Sequence, residues 1–305
     1  MKFLSFRNPS GAGPCLGVLL GDGRVFDISA ARLALDFAQV DVVPHTLDDL
    51  IRSSGEAVEA IGRMLAAPAR ERYTWKAQDI TFLPPITPHR NIFCVGRNYR
   101  EHIIEGNIAN GRPPNSFPEA IEFFTKPPTA VVAHGQPVRR HAALTDSLDY
   151  EAELAIVIGR RGVDIAESQA LDYVFGYTIV NDVTARDLQR RHGQWFKGKG
   201  LDTSCPIGPV IVHHSGIGNP NRLQVELDLN GECRQSANTD EMIFTVQSII
   251  TQLSAGMTLE PGDVISTGTP KGVGYAAVPR RCLNVGDVMT VRVEGIGELT
   301  NTVVD

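Results

Sequence analysis

Two acids, Glu151 and Glu153, stand one residue apart at the head of an apolar run, Asp149-Tyr150-Glu151-Ala152-Glu153-Leu154-Ala155-Ile156-Val157-Ile158-Gly159. In an extended strand alternate side chains share a face, so the two carboxylates point to the same side, roughly 6.6 Å apart along the chain. Ala152, Leu154, Ile156 and Ile158 occupy the opposite face. Carboxylates on so hydrophobic a strand are costly to bury unless a cation or a proton neutralises them. A third acid, Asp182, ends a second apolar run, VFGYTIVN (174–181), directly before a helical pattern that starts near Thr184. Brought together, three carboxylates form the all-oxygen ligand set that Mg²⁺, Mn²⁺ or Ca²⁺ prefers, with water or substrate completing the shell. Taken singly, an E-x-E pair also suits the wet face of an edge strand, and Asp182 also suits a helix N-cap.

A second chemical pair is His102 and Glu105, in Arg97-Asn98-Tyr99-Arg100-Glu101-His102-Ile103-Ile104-Glu105. Three-residue spacing puts both on one side of a helical turn, where the carboxylate can orient the imidazole and raise its basicity. Glu101 competes for that role, although adjacent residues do not face each other on a helix. Arg186 and Gln189 follow Asp182 by four and seven residues, which places them on its face if the segment is helical. The Gly268-Thr269 backbone N–H groups could meet a carboxylate or enolate oxygen, and a plain turn is the bland alternative. The P/V-G-D turns holding Asp263 and Asp287 read as structural.

These residues need elements to position them. Residues 1–78 read as a small α/β unit: strands at Lys2–Phe6, Leu16–Leu20 and Arg24–Ile28, then one helix from a Thr46/Asp49 capping box to about Ala66. The segment LPPITP (83–88) breaks the pattern, and residues 79–305 form a second domain. There, strands are expected at Asn91–Val95, Ala130–Val132, Glu151–Ile158, Val174–Asn181, Val210–Val212, Leu223–Leu229, Val264–Thr267 and Val288–Glu294. Turns such as Asn230-Gly231 separate them, and only two helices interrupt, Thr184–His192 and Thr245–Ala255. The pattern predicts an α+β, β-rich fold and not an alternating βαβ sheet. The stretch Asn107–Ala120, with Pro113, Pro114 and Pro118, is longer than a minimal connection and reads as a lid.

Composition narrows the function classes. The chain has 305 residues, 42% hydrophobic and 21% charged, with net charge −6. That acidity argues against a nucleic-acid partner, and no apolar run reaches the eighteen residues of a membrane span. The start, Met1 to Arg7, meets a charge before any signal-peptide core could form. Five scattered cysteines without a CxxC pair support neither a zinc knuckle nor a disulfide framework, so a reducing cytoplasm fits. Cys94 and Cys205 sit in apolar runs and read as packing groups.

The segments FCVGRNYREHIIEGN (93–107), FFTKPPTAV (123–131), DYEAELAIVIG (149–159), NDVTARDLQ (181–189), KGKGLDTSCPIGP (197–209) and GDVISTGTPKGVG (262–274) occur in this order. Together they resemble the fumarylacetoacetate hydrolase family, in the branch of acylpyruvate hydrolases, oxaloacetate decarboxylases and homoprotocatechuate-pathway isomerase/decarboxylases. The resemblance spans nearly all of residues 91–305. It implies a mixed β-sandwich roll, a homodimer, and a metal, Mg²⁺ or Mn²⁺ with Ca²⁺ as a substitute, on Glu151, Glu153 and Asp182. It assigns Arg186 and Gln189 to substrate oxygens and His102 with Glu105 to a water-activating dyad on a mobile lid. Lys199 matches the family lysine that steadies an enolate, although by position alone its neighbour Lys197 serves as well. Arg97, Tyr99, Lys126 and Thr269 are further substrate-contact candidates. The activity so implied is hydrolysis of a C–C bond in a 2,4-dioxo acid such as fumarylpyruvate or acetylpyruvate, through an enolate held at the metal. The alternative is isomerisation, decarboxylation or hydration of a 2-oxo dioic acid, including oxaloacetate decarboxylation.

Overall fold

The computed structural model describes residues 1–11, 13–34, 42–53 and 55–305. Its longer strands are β1 (Lys2–Arg7), β2 (Cys15–Leu19), β3 (Arg24–Asp27), β4 (Thr74–Lys76), β5 (Ile92–Gly96), β6 (Glu122–Lys126), β7 (Ala152–Ile158), β8 (Val174–Asn181), β9 (Cys205–His213), β10 (Gln224–Leu229), β11 (Glu232–Asn238), β12 (Val264–Ser266), β13 (Val288–Val293) and β14 (Gly297–Val304). The helices are α1 (Ile28–Ala34), α2 (Leu47–Arg52), α3 (Gly55–Ala66), α4 (Arg100–Ala109), α5 (Arg186–Arg191), α6 (Phe196–Lys199) and α7 (Val246–Ser254). A mixed sheet runs in the order β4-β3-β2-β1-β9-β8-β7-β12-β5-β6. A second, five-stranded sheet contains β11-β10-β13-β14 and a short strand at Val138–Arg139. Neither sheet closes on itself, and the whole is α+β and strand-rich, as the sequence leads one to expect.

Burial on both faces explains the apolar composition of the central strands. From β7, Ala152, Leu154, Ile156 and Ile158 enter a core shared with the five-stranded sheet (Val225, Leu227, Val291, Val293) and with α7 (Ile249, Ile250). Ala155 and Val157 leave the other face into a core that α2 and α3 cover with Leu50, Ile51, Ile61 and Met64. The expected boundary at 78/79 therefore lies between segments joined by a continuous sheet and a common core. β1 pairs antiparallel with β9, Lys2 opposite Val212 and Phe3 opposite Ile211.

Several elements differ from expectation. Thr46 does cap α2 by accepting from the Asp49 N–H at 3.1 Å, but the single helix expected to Ala66 is two. Ser53 leaves the helical path and returns its hydroxyl to the Leu50 carbonyl at 2.7 Å; Ser54 lies outside the described residues. The helix expected from Thr184 begins at Arg186, because Thr184 and Ala185 pair instead with Asp149 and Leu148. Asp182 is therefore not an N-cap; Ala185 holds that position. β9 is longer than the three residues foreseen, and β6, β11 and β14 were not foreseen. The Asn230-Gly231 turn does join β10 to β11, with φ of 56° and 81° at its two residues, the combination a two-residue hairpin requires.

His213 closes β9 with its ring edge-on to Phe175, 5.4 Å between centroids, and 4.2 Å from His214. Burial first, and then His214, pull its pKa down to about 4. A native histidine with a depressed pKa stays neutral while the unfolded one protonates. Stability should therefore decline as pH falls from about 6.5 towards about 4. Urea melts of wild type and His213→Gln at pH 7 and pH 5 test this. The variant should lose less stability between the two, and equal losses would contradict the assignment.

Candidate active site

Antiparallel pairing of β7 with β8 places the start of one strand beside the end of the other. Ala152 lies opposite Asn181 and Glu153 opposite Val180. The register is locked at that end by the Glu151 N–H on the Asn181 side-chain oxygen (3.0 Å) and the Asp182 N–H on the Glu151 carbonyl (2.8 Å). Glu151, Glu153 and Asp182 are thereby gathered with one carboxylate oxygen from each within 4.8 Å of the others, all three buried.

Such a cluster must be compensated. The Lys199 ammonium, brought by α6, sits 2.6 Å from both Glu151 and Asp182, whereas Lys197 is exposed. Lys126 approaches Asp182 from β6 at 2.7 Å and also reaches the Val183 carbonyl. Arg186 donates from Nε to Asp149 at 2.9 Å. Its Nη2 lies 2.6 Å from Glu151, an ion-pair distance but off the line of a hydrogen bond. Burial opposes ionisation of Glu151, yet Arg186 and Lys199 hold its pKa well below the usual carboxylate range. Glu153 differs: among the described residues no ion pair reaches it, and it accepts only from the Ser266 hydroxyl and the Gly268 N–H. Burial, then Asp182 and Glu151, push its pKa well above normal. An uncompensated buried acid with two others at its side suits a hard divalent cation. The donor set therefore fits the metal that the motifs imply.

The second chemical pair comes from α4. His102 Nδ1 lies 3.0 Å from Glu105, and Glu105 is itself clasped by the Gly272 N–H, 3.1 and 3.0 Å from its two oxygens. Glu101 points elsewhere, 4.0 Å from Lys271. Gly272 has φ +102°, and a Cβ there would lie 1.9 Å from the Arg234 carbonyl. Only glycine lets that backbone approach so closely. The segment after α4 is tied down by the Asn107 amide, which donates to Pro114 and Ser116 carbonyls at 3.0 Å.

A cavity of about 430 Å³ joins these groups. Glu151, Glu153, Arg186, Lys199 and His102 line it, together with Arg97, Gln189 and Thr269. Arg97 is held to Glu122 at 3.1 Å and to the Ser116 carbonyl at 2.6 Å. Gln189 accepts weakly from Arg186 at 3.4 Å, and the Thr269 hydroxyl accepts from Gln235 at 2.9 Å. The Gly268 N–H serves Glu153. Tyr99 and Lys126 are not on the cavity wall: Tyr99 packs in the core with its hydroxyl unpartnered among the described residues, and Lys126 stands behind Asp182. Both thiols are buried, Cys205 raised to about 12 and Cys94 raised as well, chiefly by desolvation. Neither resembles an activated nucleophile. Asp263 and Asp287 are bound to Arg90 and Arg281 and do structural work.

Asp149 was not singled out by sequence reasoning. Its two oxygens take the N–H groups of Tyr150, Gly274 and Tyr275 as well as Arg186. Tyr275, on the cavity wall, lays its ring against the Arg186 guanidinium at 4.4 Å. Trp195 also lines the cavity and packs where a Cβ at Gly96 would stand. The one available signal for Asp149 was an acid between Leu148 and Tyr150, two residues before Glu151.

Residues 91–304 match the family model described as fumarylacetoacetate (FAA) hydrolase C-terminal. Oxaloacetate tautomerase YisK of Bacillus subtilis is 43% identical over 296 residues, covering 94% of this chain and 95% of that protein. Among solved structures, a fumarylacetoacetate hydrolase from Exiguobacterium antarcticum superposes with TM-score 0.80 at 39% identity, covering 100% of this chain and 99% of the other. A maleylpyruvate hydrolase from Sphingobium sp. SYK-6, in complex with manganese(II) and pyruvate, gives 0.74 at 29% identity with the same coverage.

Calorimetric titration with Mn²⁺ tests the triad. Glu153→Gln should weaken binding at least about tenfold, as expected for loss of a charged ligand. Because the substitution also removes an uncompensated buried acid, the metal-free melting temperature should stay level or rise. Unchanged Mn²⁺ affinity would exclude Glu153 as a ligand.

Proposed function

Since this chain belongs to the fumarylacetoacetate hydrolase family, we propose that it is a divalent-metal-dependent enzyme that interconverts the keto and enol forms of 2-oxo acids. The observation that carries this reading is the opening of Glu151 and Glu153 of the acid triad, two cations and a carboxylate-oriented histidine onto one cavity. A divalent cation on Glu151, Glu153 and Asp182 would polarise the 2-oxo group as a Lewis acid. The remaining steps fall to the chain. Lys199 and Arg186 bring positive charge to the position where enolate oxygen charge develops, and a dry site makes such charge most effective. With Nδ1 engaged by Glu105, His102 keeps Nε2 free to take a proton from the carbon next to the 2-oxo group and to return it. The Gly272 clasp on Glu105 fixes the orientation of that base.

Hydrolysis of an acylpyruvate, the activity the motifs imply, is a second reading favoured by the same His102–Glu105 pair. There His102 takes a proton from water, the hydroxide adds to the distal carbonyl, and the C–C bond breaks to leave a pyruvate enolate that is then protonated. Both readings share the enolate and differ in what His102 deprotonates. The similarity to a tautomerase across 94% of the chain supports the first.

The readings separate in a side-by-side assay with Mg²⁺ or Mn²⁺. Enol oxaloacetate should lose its ultraviolet absorbance faster than in the metal-only blank, without release of pyruvate. Turnover of acetylpyruvate to pyruvate with no acceleration of the oxaloacetate enol would reverse the order. In either case His102→Ala should cost about 10²- to 10⁴-fold in kcat, the span of a general base, and EDTA should abolish activity reversibly.

A further inference from the structure

Gln235 is a buried amide that no step of the proposed reaction uses, yet its hydrogen bonds fix the polarity of a group on the cavity wall. It stands on β11, in the five-stranded sheet, and reaches across to the large one. Its side-chain oxygen accepts at 2.9 Å from the N–H of Ala152, the residue between Glu151 and Glu153. Its amide nitrogen donates to the Pro270 carbonyl at 2.8 Å and to the Thr269 hydroxyl at 2.9 Å. A backbone N–H can only donate and a carbonyl can only accept, so the amide has one possible orientation. Both of its hydrogens are committed, and the Thr269 oxygen must accept one of them.

A hydroxyl that accepts on one side keeps a single proton for another partner. Among the described residues no acceptor takes the Thr269 proton, although this side chain is buried and lines the cavity. Its neighbours differ. The Ser266 hydroxyl and the Gly268 N–H both serve Glu153, and the Thr267 hydroxyl serves the Leu154 carbonyl. Of the three hydroxyls in this run, that of Thr269 is left to donate to whatever enters the cavity.

We infer that Gln235 is a positioning residue that holds Thr269 as an obligate hydrogen-bond donor to an anionic oxygen of the acid bound at the triad. This rests on the reading that the cavity takes a 2-oxo acid. Because the same amide grips the Ala152 N–H, it ties the donor to the strand that bears Glu151 and Glu153. A freely rotating hydroxyl could meet a donor or an acceptor equally well. One turned by Gln235 favours an oxygen that carries charge, and it needs no reorganisation when enolate charge develops.

Calorimetry on Mn²⁺-loaded protein with oxalate, a dianion shaped like the enolate of pyruvate, tests this without turnover. Wild type should bind oxalate, and Thr269→Val should weaken it at least about tenfold, the scale of one hydrogen bond to a charged group. Thr269→Ser, which keeps the hydroxyl, should restore most of the affinity. Gln235→Met should also weaken oxalate, but in the Thr269→Val background it should cost almost nothing more, because no hydroxyl remains to orient. Additive losses, or a fall in Mn²⁺ affinity that accounts for the oxalate loss, would make Gln235 a mere brace for β7 and overturn the inference. Unchanged oxalate binding by Thr269→Val, which leaves Gln235 in place, would overturn it with the 2-oxo-acid reading intact. If wild type binds no oxalate, that reading falls, and this inference with it.

Discussion

The pairing of the first residues of β7 with the last of β8 is the constraint on which the rest of the site depends. It forces Glu151, Glu153 and Asp182 into one buried cluster, and buried like charges cannot persist without compensation. Much of the surrounding architecture is the consequence. A four-residue helix delivers Lys199, an otherwise ordinary strand ends in the fully buried Lys126, and α5 opens with Arg186 instead of an apolar residue. These cations satisfy Glu151 and Asp182 but not Glu153. The remaining imbalance at Glu153 is local, and it makes the cluster suited to a metal rather than a self-contained ion-pair network.

Asp149 extends this constraint to the second chemical pair. One buried carboxylate accepts from Arg186 on one side and from the backbone of Gly274 and Tyr275 on the other. The same loop supplies the Gly272 N–H that clasps Glu105, the partner of His102. The orientation of the histidine is thus referred, through Glu105, the loop and Asp149, to the strand that bears the acids. The close contact between Gly106 and Tyr275 adds a packing link between α4 and that loop, because a Cβ at Gly106 would fall 2.6 Å from the Tyr275 hydroxyl. His102 and the triad hold their relative positions although Glu151 lies 49 residues, and Asp182 80 residues, further along the chain.

Sequence reading reached Glu151 and Glu153 because period-two alternation is short-range: the two must share a face wherever the segment is extended. The His102–Glu105 pair was legible for the same reason, with a helical period. Asp182 could be placed at a strand end, but its meeting with the glutamates depends on register between strands, which only the ordered motifs suggested. Tyr99 and Lys126 show the opposite case. Tyr99 stands between Arg97 and His102 yet turns into the core, and Lys126 backs Asp182, choices that chain position does not encode. Thr184 and Ala185 looked helical because helix propensity ignores the two-residue pairing with Leu148 and Asp149 that tertiary packing imposes. β11 and β14 were missed because their outward positions are polar, although each pairs with the strand just before it.

Chemistry and specificity consequently occupy different kinds of structure. The acids stand on strands buried from both faces, where a shift of one residue would turn every side chain over. Such positions can hold one arrangement only. The end of α5 and the stretch after α4 are exposed, weakly constrained by packing, and able to change residue without disturbing the sheet. A family that retains enolate chemistry while varying the acid it accepts would be expected to divide its sequence in this way.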